Sequence, residues 1–373
     1  MKRRTFLKTL GALGVLAACG GGGGMAFLYS EAFGALPEGA TLQRVLLSPH
    51  QVNGVFRNLE PAPLLVSESN FVVSLVRWLF LKRERPHPAA PLPVMHQDLK
   101  HLKGDCLVWF GHSSFFLQLE GRRFLIDPVF SDYAAPFSFS NRAFAGTSVY
   151  SPSDLPDIDC LLLTHDHWDH LDYPTIKALK GRIRTVICGL GTGSHLVRWG
   201  FAKDRIHEAD WEDCVDLDSS LRVHLTTARH FSGRSLNNHD RALWCGFVLE
   251  SASHRILVSG DGGYGSHFAR LGERFGSFDL VLLDSGQYNA NWPTVHMFPE
   301  EAAQAALDLH AQALLPAHIG RFCLSQHAWD EPFIRAVAAS AGKPYQLVTP
   351  LIGQVVSLEQ LFPDFPHWWE GLK

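Results

Sequence analysis

The chain has 373 residues and 46% of them are hydrophobic, so it can bury a sizeable core in one large domain or in two ordinary ones. Its formal net charge of −4 argues against the strongly basic surface that nucleic-acid binding requires. No apolar run reaches the length of a mature transmembrane helix, and the spacing of the seven cysteines does not indicate a disulfide framework.

Residues 1–24 have the pattern of an export signal. Arg3 and Arg4 lie in a basic start typical of twin-arginine signals, and a short apolar segment follows at residues 9–18. The sequence Leu-Ala-Ala-Cys at residues 16–19 is similar to a bacterial lipobox, in which cleavage leaves Cys19 as a lipidated first residue, and five glycines then form a flexible tether. We therefore expect export to the bacterial cell envelope and a lipid anchor at Cys19 that holds the protein on a membrane surface. The alternatives are an ordinary signal peptide with a chance cysteine, which would give a periplasmic protein, or a disordered basic start.

Residues 25–101 form an N-terminal extension with one conspicuous feature. The stretch at residues 71–81 is strongly apolar and is followed by Lys82, Arg83 and Arg85. We expect this stretch to be a helix packed against the main domain, because burial in a core is the usual fate of such a sequence. Contact with a membrane surface is the alternative.

Residues 102–356 have the pattern of an α/β domain, and residues 357–373 form a C-terminal tail. A hairpin is predicted from apolar segments at residues 107–110, 115–119 and 124–126, with Gly121 at a turn. Helical patterns at residues 174–179 and 299–309 follow further apolar runs. Strands that alternate with helices in this way predict layers of sheet and helix.

A dense cluster of histidine and aspartate follows the apolar run at residues 160–163, which is typical of a buried strand. The side chains that could bind a metal are His165, His167, Asp169 and His170. Imidazole nitrogen and carboxylate oxygen are the ligands that suit zinc and similar divalent metals. Since polar side chains at a strand end are where active sites are usually built, the cluster predicts a metal centre rather than a polar loop.

Three more polar side chains each follow a short apolar run. They are His230, Asp261 and His318. Each alone is a weak signal, since an aspartate before glycine is usually a turn residue. Together with the first cluster they provide seven ligands, which is enough for two divalent ions that share one carboxylate.

Several stretches resemble the metallo-β-lactamase fold superfamily, whose first motif is His-x-His-x-Asp-His. The similarity is closest to its N-acyl-phosphatidylethanolamine-hydrolysing phospholipase D group. The stretches that carry it are residues 109–113, 124–131, 164–172, 228–230, 260–264, 275–280 and 296–302. The chain departs from that group at Gly262, where the group has threonine, at Val295, where it has glutamine, and at Asp166, where it commonly has asparagine.

The resemblance implies a four-layer αβ/βα sandwich with two divalent metal ions at one edge between the sheets. We expect both ions to be Zn²⁺. One ion is then held by His165, His167 and His230. The other is held by Asp169, His170 and His318. Asp261 bridges the two ions and acts in catalysis, and the ions activate a shared water for attack on phosphorus or on a carbonyl carbon.

His296 matches a histidine near the active site of the resembled group, so we expect it to orient a phosphate oxygen or to protonate a leaving group. An ordinary loop histidine is the alternative. Asp127 follows an apolar run and is either a partner that orients a ligand imidazole or a turn residue before Pro128. Seven histidines have no supporting context and are predicted to be surface or structural residues: His207, His224, His239, His254, His267, His310 and His327.

These observations predict a binuclear zinc-dependent phosphodiesterase of phospholipase D type. Its substrates would be phospholipids similar to N-acyl-phosphatidylethanolamine, or other small phosphodiesters, at the cell envelope. Hydrolysis of a lactone, a β-lactam or another carbonyl substrate is the alternative enzyme activity, and a non-catalytic zinc-binding lipoprotein is the alternative from another class. No nucleic-acid partner is expected.

Overall fold

A computed structural model describes residues 30–63, 84–235, 237–359 and 363–372. The predicted export signal with Cys19, and the apolar stretch at residues 71–81, lie outside the described residues. Among the residues that are described, no helix combines the length and the apolar composition needed to cross a membrane.

Two seven-stranded sheets form the centre of the molecule. The strands of the first sheet, in chain order, are β3 (Cys106–Trp109), β4 (Phe115–Leu119), β5 (Arg122–Ile126), β6 (Ile158–Leu163), β7 (Ile183–Gly189), β8 (Ile206–Ala209) and β16 (Val355–Ser357). The strands of the second sheet are β9 (Cys214–Asp216), β10 (Arg222–Thr226), β11 (Gly246–Glu250), β12 (Arg255–Val258), β13 (Leu280–Asp284), β14 (Ala313–Ala317) and β15 (Gln346–Leu347). A separate hairpin of β1 (Gln51–Val52) and β2 (Val55–Phe56) precedes both sheets.

Both sheets are mixed. In the first sheet β5 to β8 are parallel, and β16, β3, β4 and β5 pair antiparallel. In the second sheet β12 to β15 are parallel, and β9 to β12 pair antiparallel. The parallel strands of each sheet therefore end at a common edge, so residues that follow them come together.

Six α-helices flank the sheets in the described part of the chain. They are α1 (Gly39–Leu47), α2 (Tyr173–Leu179), α3 (Gly193–Arg198), α4 (His267–Phe275), α5 (Pro299–Asp308) and α6 (Glu331–Ser340). Pro174 and Pro299 lie at helix starts, where the missing N–H of proline costs no hydrogen bond.

The packing of alternate strand residues shows the layers. Leu107 and Leu162 of the first sheet face Leu225 and Leu282 of the second in one buried cluster between the sheets. Neighbouring residues such as Leu161 point to the other face of the first sheet and pack against Ile176 and Leu196 of α2 and α3. Val281 and Leu314 of the second sheet pack in the same way against α4 and α5. This order of helix, sheet, sheet and helix confirms the predicted αβ/βα sandwich.

The local predictions for the main domain are also confirmed. The predicted hairpin consists of β3, β4 and β5, and Gly121 occupies its turn with a φ of 71°. The two predicted helices are α2 and α5. The predicted boundary between residues 356 and 357 falls inside β16, and Trp369 in the predicted tail stacks on Phe333 of α6 at 4.7 Å.

Candidate metal centre

The ends of the strands from both sheets meet at one edge, and there the structure brings together all seven predicted ligand residues. They are His165, His167, Asp169, His170, His230, Asp261 and His318. His165 follows β6, His230 follows β10, Asp261 follows β12 and His318 follows β14. Residues far apart in the chain therefore form one cluster because the sheet topology places these strand ends side by side.

His165, His167 and His230 form the first ligand group. Nε2 of His165 lies 2.9 Å from Nδ1 of His167, and that nitrogen lies 3.3 Å from Nε2 of His230. The carbonyl oxygen of Val295 accepts a hydrogen bond from Nδ1 of His230 at 2.9 Å. This bond places the lone pair of His230 on Nε2, which faces the other two histidines.

Asp169, His170 and His318 form the second ligand group, and His112 lies directly beside them. An oxygen of Asp169 lies 3.7 Å from Nε2 of His170 and 3.9 Å from Nε2 of His318. The same oxygen lies 2.8 Å from Nε2 of His112. His112 is fully buried and thus holds the Asp169 carboxylate in place from behind.

Asp261 lies between the two groups. Its Oδ2 is 3.0 Å from Nε2 of His170 in the second group, and 3.8 Å and 3.9 Å from Nε2 of His165 and His230 in the first. Its Oδ1 is 3.2 Å from Nδ1 of His318. A carboxylate in this position can contribute one oxygen to each of two ions.

A glycine positions Asp261. Gly260 has a φ of 63°, in the left-handed region that favours glycine. A Cβ atom at this position would lie 2.7 Å from the carbonyl oxygen of Cys245. The sharp turn after β12 that directs Asp261 into the cluster therefore requires glycine.

Asp127 orients His170. Its carboxylate accepts hydrogen bonds from Nδ1 of His170 at 2.7 Å and from the backbone N–H of Thr164 at 2.9 Å. Of the two interpretations that its sequence context left open, the structure supports a partner of a ligand imidazole. Such partners fix the tautomer and the ring orientation of a metal-binding histidine.

Two histidines of the cluster have left-handed backbones, which are uncommon for residues other than glycine. The φ angles are 56° at His112 and 64° at His318. Two backbone hydrogen bonds connect these loops, from His112 N–H to Ile319 at 2.7 Å and from His318 N–H to His112 at 3.1 Å. The loops after β3 and β14 thus hold each other in a costly conformation, as is frequent at functional sites.

Burial governs the ionisation of the histidines. It lowers the pKa of His165, His230 and His318 well below the usual range, and the neighbouring imidazoles lower it further. Burial also lowers the pKa of His167 to about 4. These four imidazoles are therefore neutral near pH 7, which is the form that binds a metal.

The ionisation of the acidic residues reflects the same crowding. Burial raises the pKa of Asp261 to about 7, although the nearby charge of His170 opposes the shift. Burial would also raise the pKa of Asp169, but the charge of His170 and the hydrogen bond with His112 lower it below its usual range. Burial lowers the pKa of His170, but the charges of Asp261 and Asp169 outweigh this effect and raise the pKa well above the usual value.

The residues fit divalent cations. Nε2 of His170, Oδ1 of Asp261 and Nδ1 of His112 are buried without a hydrogen-bond partner among the described residues. Unpartnered buried polar atoms are costly, and in the first two cases a cation between the ligand groups would supply the missing partner. Nitrogen and carboxylate oxygen atoms are also the donors that zinc prefers.

A cavity of about 280 Å³ opens from the ligand cluster. Its apolar walls are Phe231, Trp292, Val295 and Leu324. His296 lines the same cavity, and its ring stacks on His318 with a centroid distance of 4.9 Å. Nδ1 of His296 lies 2.8 Å from a carboxylate oxygen of Asp284. Burial lowers the pKa of His296, but the charge of Asp284 outweighs it and raises the pKa above the usual value.

The sequence interpretation missed three residues that support the site. Asp284, the last residue of β13, binds His296 and also accepts the backbone N–H of Gly262 at 3.0 Å. It follows an apolar run in the same way as the predicted ligands, so its strand-end position was a usable signal. Asn58 and His195 had no such signal.

Asn58 belongs to the N-terminal extension and holds a ligand from across the chain. Its Nδ2 donates to the carbonyl oxygen of His230 at 2.7 Å, and its Oδ1 accepts the N–H of His230 at 3.1 Å. His195 of α3 holds Asp166, with 3.1 Å between Nε2 and the carboxylate. Asp166 is therefore buried within a polar network and does not join the ligand groups.

Three comparisons with known proteins agree with this geometry. Residues 122–319 match the family model described as the beta-lactamase superfamily domain. An uncharacterized protein of Mycobacterium tuberculosis is 37% identical over 330 residues, which cover 86% of this chain and 87% of that protein. The N-acyl-phosphatidylethanolamine-hydrolyzing phospholipase D 1 of Caenorhabditis elegans is 30% identical over 242 residues, which cover 60% of this chain and 66% of that protein.

The fold is also similar to that of a solved structure, a metallo hydrolase from the archaeon Ignicoccus hospitalis. The TM-score is 0.51 at 19% sequence identity, and the match covers 70% of this chain and 99% of the archaeal one. The matched domain contains all seven predicted ligands and ends one residue after the last of them, His318. The chain therefore belongs to the beta-lactamase superfamily, as a metal-dependent hydrolase.

Proposed function

We propose that this protein is a binuclear zinc-dependent phosphodiesterase of phospholipase D type, and that its substrates are phospholipids similar to N-acyl-phosphatidylethanolamine. The observation that carries the proposal is the arrangement of His296 and Asp284 beside the bridging position of Asp261, in a cavity with apolar walls. The similarity to the C. elegans phospholipase D supports the choice of substrate.

The ligand residues would hold two ions with Asp261 between them. Two ions so held activate a water molecule for attack and neutralise charge that develops on the phosphoryl oxygens. Neutral His165, His167 and His230 are ready to bind without releasing protons, because burial already keeps their pKa values low.

His296 would protonate the leaving group. Asp284 accepts a hydrogen bond from its Nδ1, which leaves Nε2 as the nitrogen available on the ring that lines the cavity. In phospholipase D chemistry the oxygen of water bonds to phosphorus, and the bond from phosphorus to the head-group oxygen breaks. The departing alkoxide takes the proton from His296, and phosphatidate and the free N-acylethanolamine are the products.

The apolar wall suits the part of a lipid next to its phosphate. Phe231, Trp292, Val295 and Leu324 line the cavity beside the ligand residues. Apolar surface of this kind excludes water and strengthens the interaction of a phosphate with cations. The hydrogen bond from Nδ1 of His230 to the carbonyl oxygen of Val295 does not depend on the side chain at position 295, so the departure from glutamine there leaves it intact.

The experiment first measures the metal content of the mature protein. The same preparation is then assayed for substrate turnover. We expect close to two zinc ions per chain and release of N-acylethanolamine from N-acyl-phosphatidylethanolamine in mixed micelles. A panel of lactones and β-lactams is assayed in parallel. Turnover of that panel without phosphodiester turnover contradicts the proposal, as does one ion per chain or iron with oxygen-dependent turnover. Two ions without turnover of any substrate indicate a non-catalytic zinc protein.

We also propose that the enzyme works at the bacterial cell envelope, where a lipid on Cys19 holds it on the membrane. The basis is the sequence pattern at residues 1–24. Each buried CH₂ of an acyl chain contributes about 0.8 kcal/mol, so more than one chain anchors stably. Cys19→Ser should release the protein from the membrane fraction, and Arg3 and Arg4 changed to lysine should block export. A Cys19→Ser protein that stays in the membrane fraction, with no lipid on the wild type by mass spectrometry, contradicts the anchor.

A further inference from the structure

A second cavity lies beside the metal centre. Its volume is about 330 Å³, and one wall is formed by residues 56–62 of the N-terminal extension. This wall lies outside the residues that match the superfamily domain. The second cavity shares His230 and Phe231 with the cavity at the ligand cluster, so the two are neighbours.

Phe231 separates the two cavities. On one side its ring packs on His167 and His230 with centroid distances of 4.5 Å and 4.6 Å. On the other side it stacks on His239 at 5.7 Å with an interplanar angle of 12°. A substrate bound at the ligand cluster can therefore reach the second cavity by passing this one ring.

The second cavity contains an arginine without a partner. Arg57 is exposed, and its guanidinium makes no hydrogen bond or ion pair with the described residues. The two carboxylates that line the cavity already have donors. Asp240 accepts from His239 and from the N–H of Ser232, and Glu60 accepts from the N–H of Ser266 at 2.9 Å.

His239 provides a second donor. Its Nδ1 lies 2.9 Å from a carboxylate oxygen of Asp240, and its side chain is half exposed. The hydrogen bond with Asp240 raises the pKa of His239 above its usual value, although burial opposes the shift. The protonated ring can then donate from Nε2, for which no protein partner exists in the described residues.

We propose that the second cavity is a substrate subsite that binds an anionic group, a carboxylate or a phosphate, located away from the bond that is cleaved. Arg57 and His239 bind this group, because they supply charge and N–H donors that the cavity's own carboxylates do not use. The inference rests on the proposed phosphodiesterase function, and it explains why the N-terminal extension lies against the metal centre. In this proposal His239 binds substrate, whereas its sequence context predicted only a surface or structural residue.

The test uses two matched series of alkyl 4-nitrophenyl phosphates with the zinc-loaded protein. The alkyl chain ends in a methyl group in one series and in a carboxylate in the other, and several chain lengths are compared. We expect Arg57→Gln to raise KM about 10-fold for the carboxylate esters, which is the effect of one lost charge-assisted hydrogen bond. The kcat values and the KM of the methyl esters should not change.

Two further variants control for charge and for folding. Arg57→Lys keeps the charge, so its KM for the carboxylate esters should rise less. Arg184→Gln removes an exposed arginine from β7, away from both cavities, and should change neither series. The subsite proposal is wrong if Arg57→Gln changes KM equally for the methyl and the carboxylate esters, or changes KM for neither.

Free acetate separates a substrate subsite from a site for a free anion. It should raise KM for the carboxylate esters only. If acetate changes turnover of the methyl esters in the wild type but not in Arg57→Gln, the second cavity binds a free anion and the proposal is wrong. If the wild type hydrolyses neither series, the phosphodiesterase function fails, and calorimetry with the carboxylate esters tests the subsite alone. A Kd about 10-fold higher in Arg57→Gln than in the wild type then supports the subsite, and equal Kd values refute the subsite.

Discussion

The two ligand groups differ in depth and in what holds them. In the second group Asp169 and His318 line the cavity, but His170 is fully buried and is held by Asp127, which follows β5 of the same sheet. The first group is more open, because His167 is only partly buried and lines the cavity. His230 in that group is held by Asn58, which lies in the N-terminal extension.

This difference predicts that ions on the two groups exchange at different rates. An ion on the second group would be held by ligands that Asp127 and His112 orient, so it should exchange slowly. An ion on the first group would face the cavity and the substrate, and its affinity would depend on packing of the extension. Asp261 lies between both groups, so a change there should affect both, whereas changes at Asp127 and Asn58 should each affect one.

The largest effect is expected at Asp261. Asp261→Asn removes the carboxylate that lies within 3.0 to 3.9 Å of imidazoles in both groups, so both ions should be lost together and hydrolysis nearly abolished. The fold should persist, since the sheets carry most of the buried apolar area. Metal analysis and thermal unfolding measure this, and Asp216→Asn on the exposed edge strand β9 is the matched control. Loss of only one ion would show that Asp261 does not bridge.

His296→Gln should lower kcat for N-acyl-phosphatidylethanolamine about 100-fold to 10,000-fold, because it removes the proposed acid. An ester whose leaving group is 4-nitrophenolate needs little protonation and should lose much less. The bound metal should stay unchanged, because His296 binds Asp284 and is not required in either ligand group. Equal losses on both substrates would contradict the acid role, and unchanged kcat on both would identify an ordinary loop histidine.

Asp127→Asn should act on the second group alone. The acceptor for Nδ1 of His170 weakens, and changes to such partners cost about 10-fold to 100-fold in metal affinity. Stepwise removal of zinc by a chelator should show one ion released earlier and the other as in the wild type. Asp132→Asn, an exposed change in the loop after β5, is the control. Earlier release of both ions would show that the groups are not independent.

Asn58→Ala should act on the first group alone and more weakly. It removes the hydrogen bonds to the backbone of His230, each of which contributes about 1 kcal/mol. We expect about 10-fold weaker binding of the more exchangeable ion, measured by the same chelator titration. Gln304→Ala removes an exposed amide of α5 and controls for a general loss of stability. Unchanged release would mean that the extension does not support the metal centre.

Much of the fold and the ligand set could be predicted because both depend on local patterns. A buried strand is an apolar run, and the residue that follows it is marked by its chemistry, as at His165 and His318. Parallel strands of one sheet end at a common edge, so a series of strand-end ligands already predicts one site. Asp284 ends an apolar strand in the same way, so the same rule predicts that it lies at this site.

The remaining parts of the site depend on contacts between distant segments, which no local pattern encodes. Asn58 meets His230 across 172 residues of sequence, and His195 meets Asp166 across 29. The second cavity likewise exists only because residues 56–62 pack beside Phe231. The sequence by itself determined the layers and the strand-end positions of side chains that could hold a metal ion, because strand periodicity and side-chain type are local properties. Only the tertiary structure decided how Asn58, His195 and Asp284 support the ligands and which surfaces line the cavities, because those depend on how the sheets and the extension pack together.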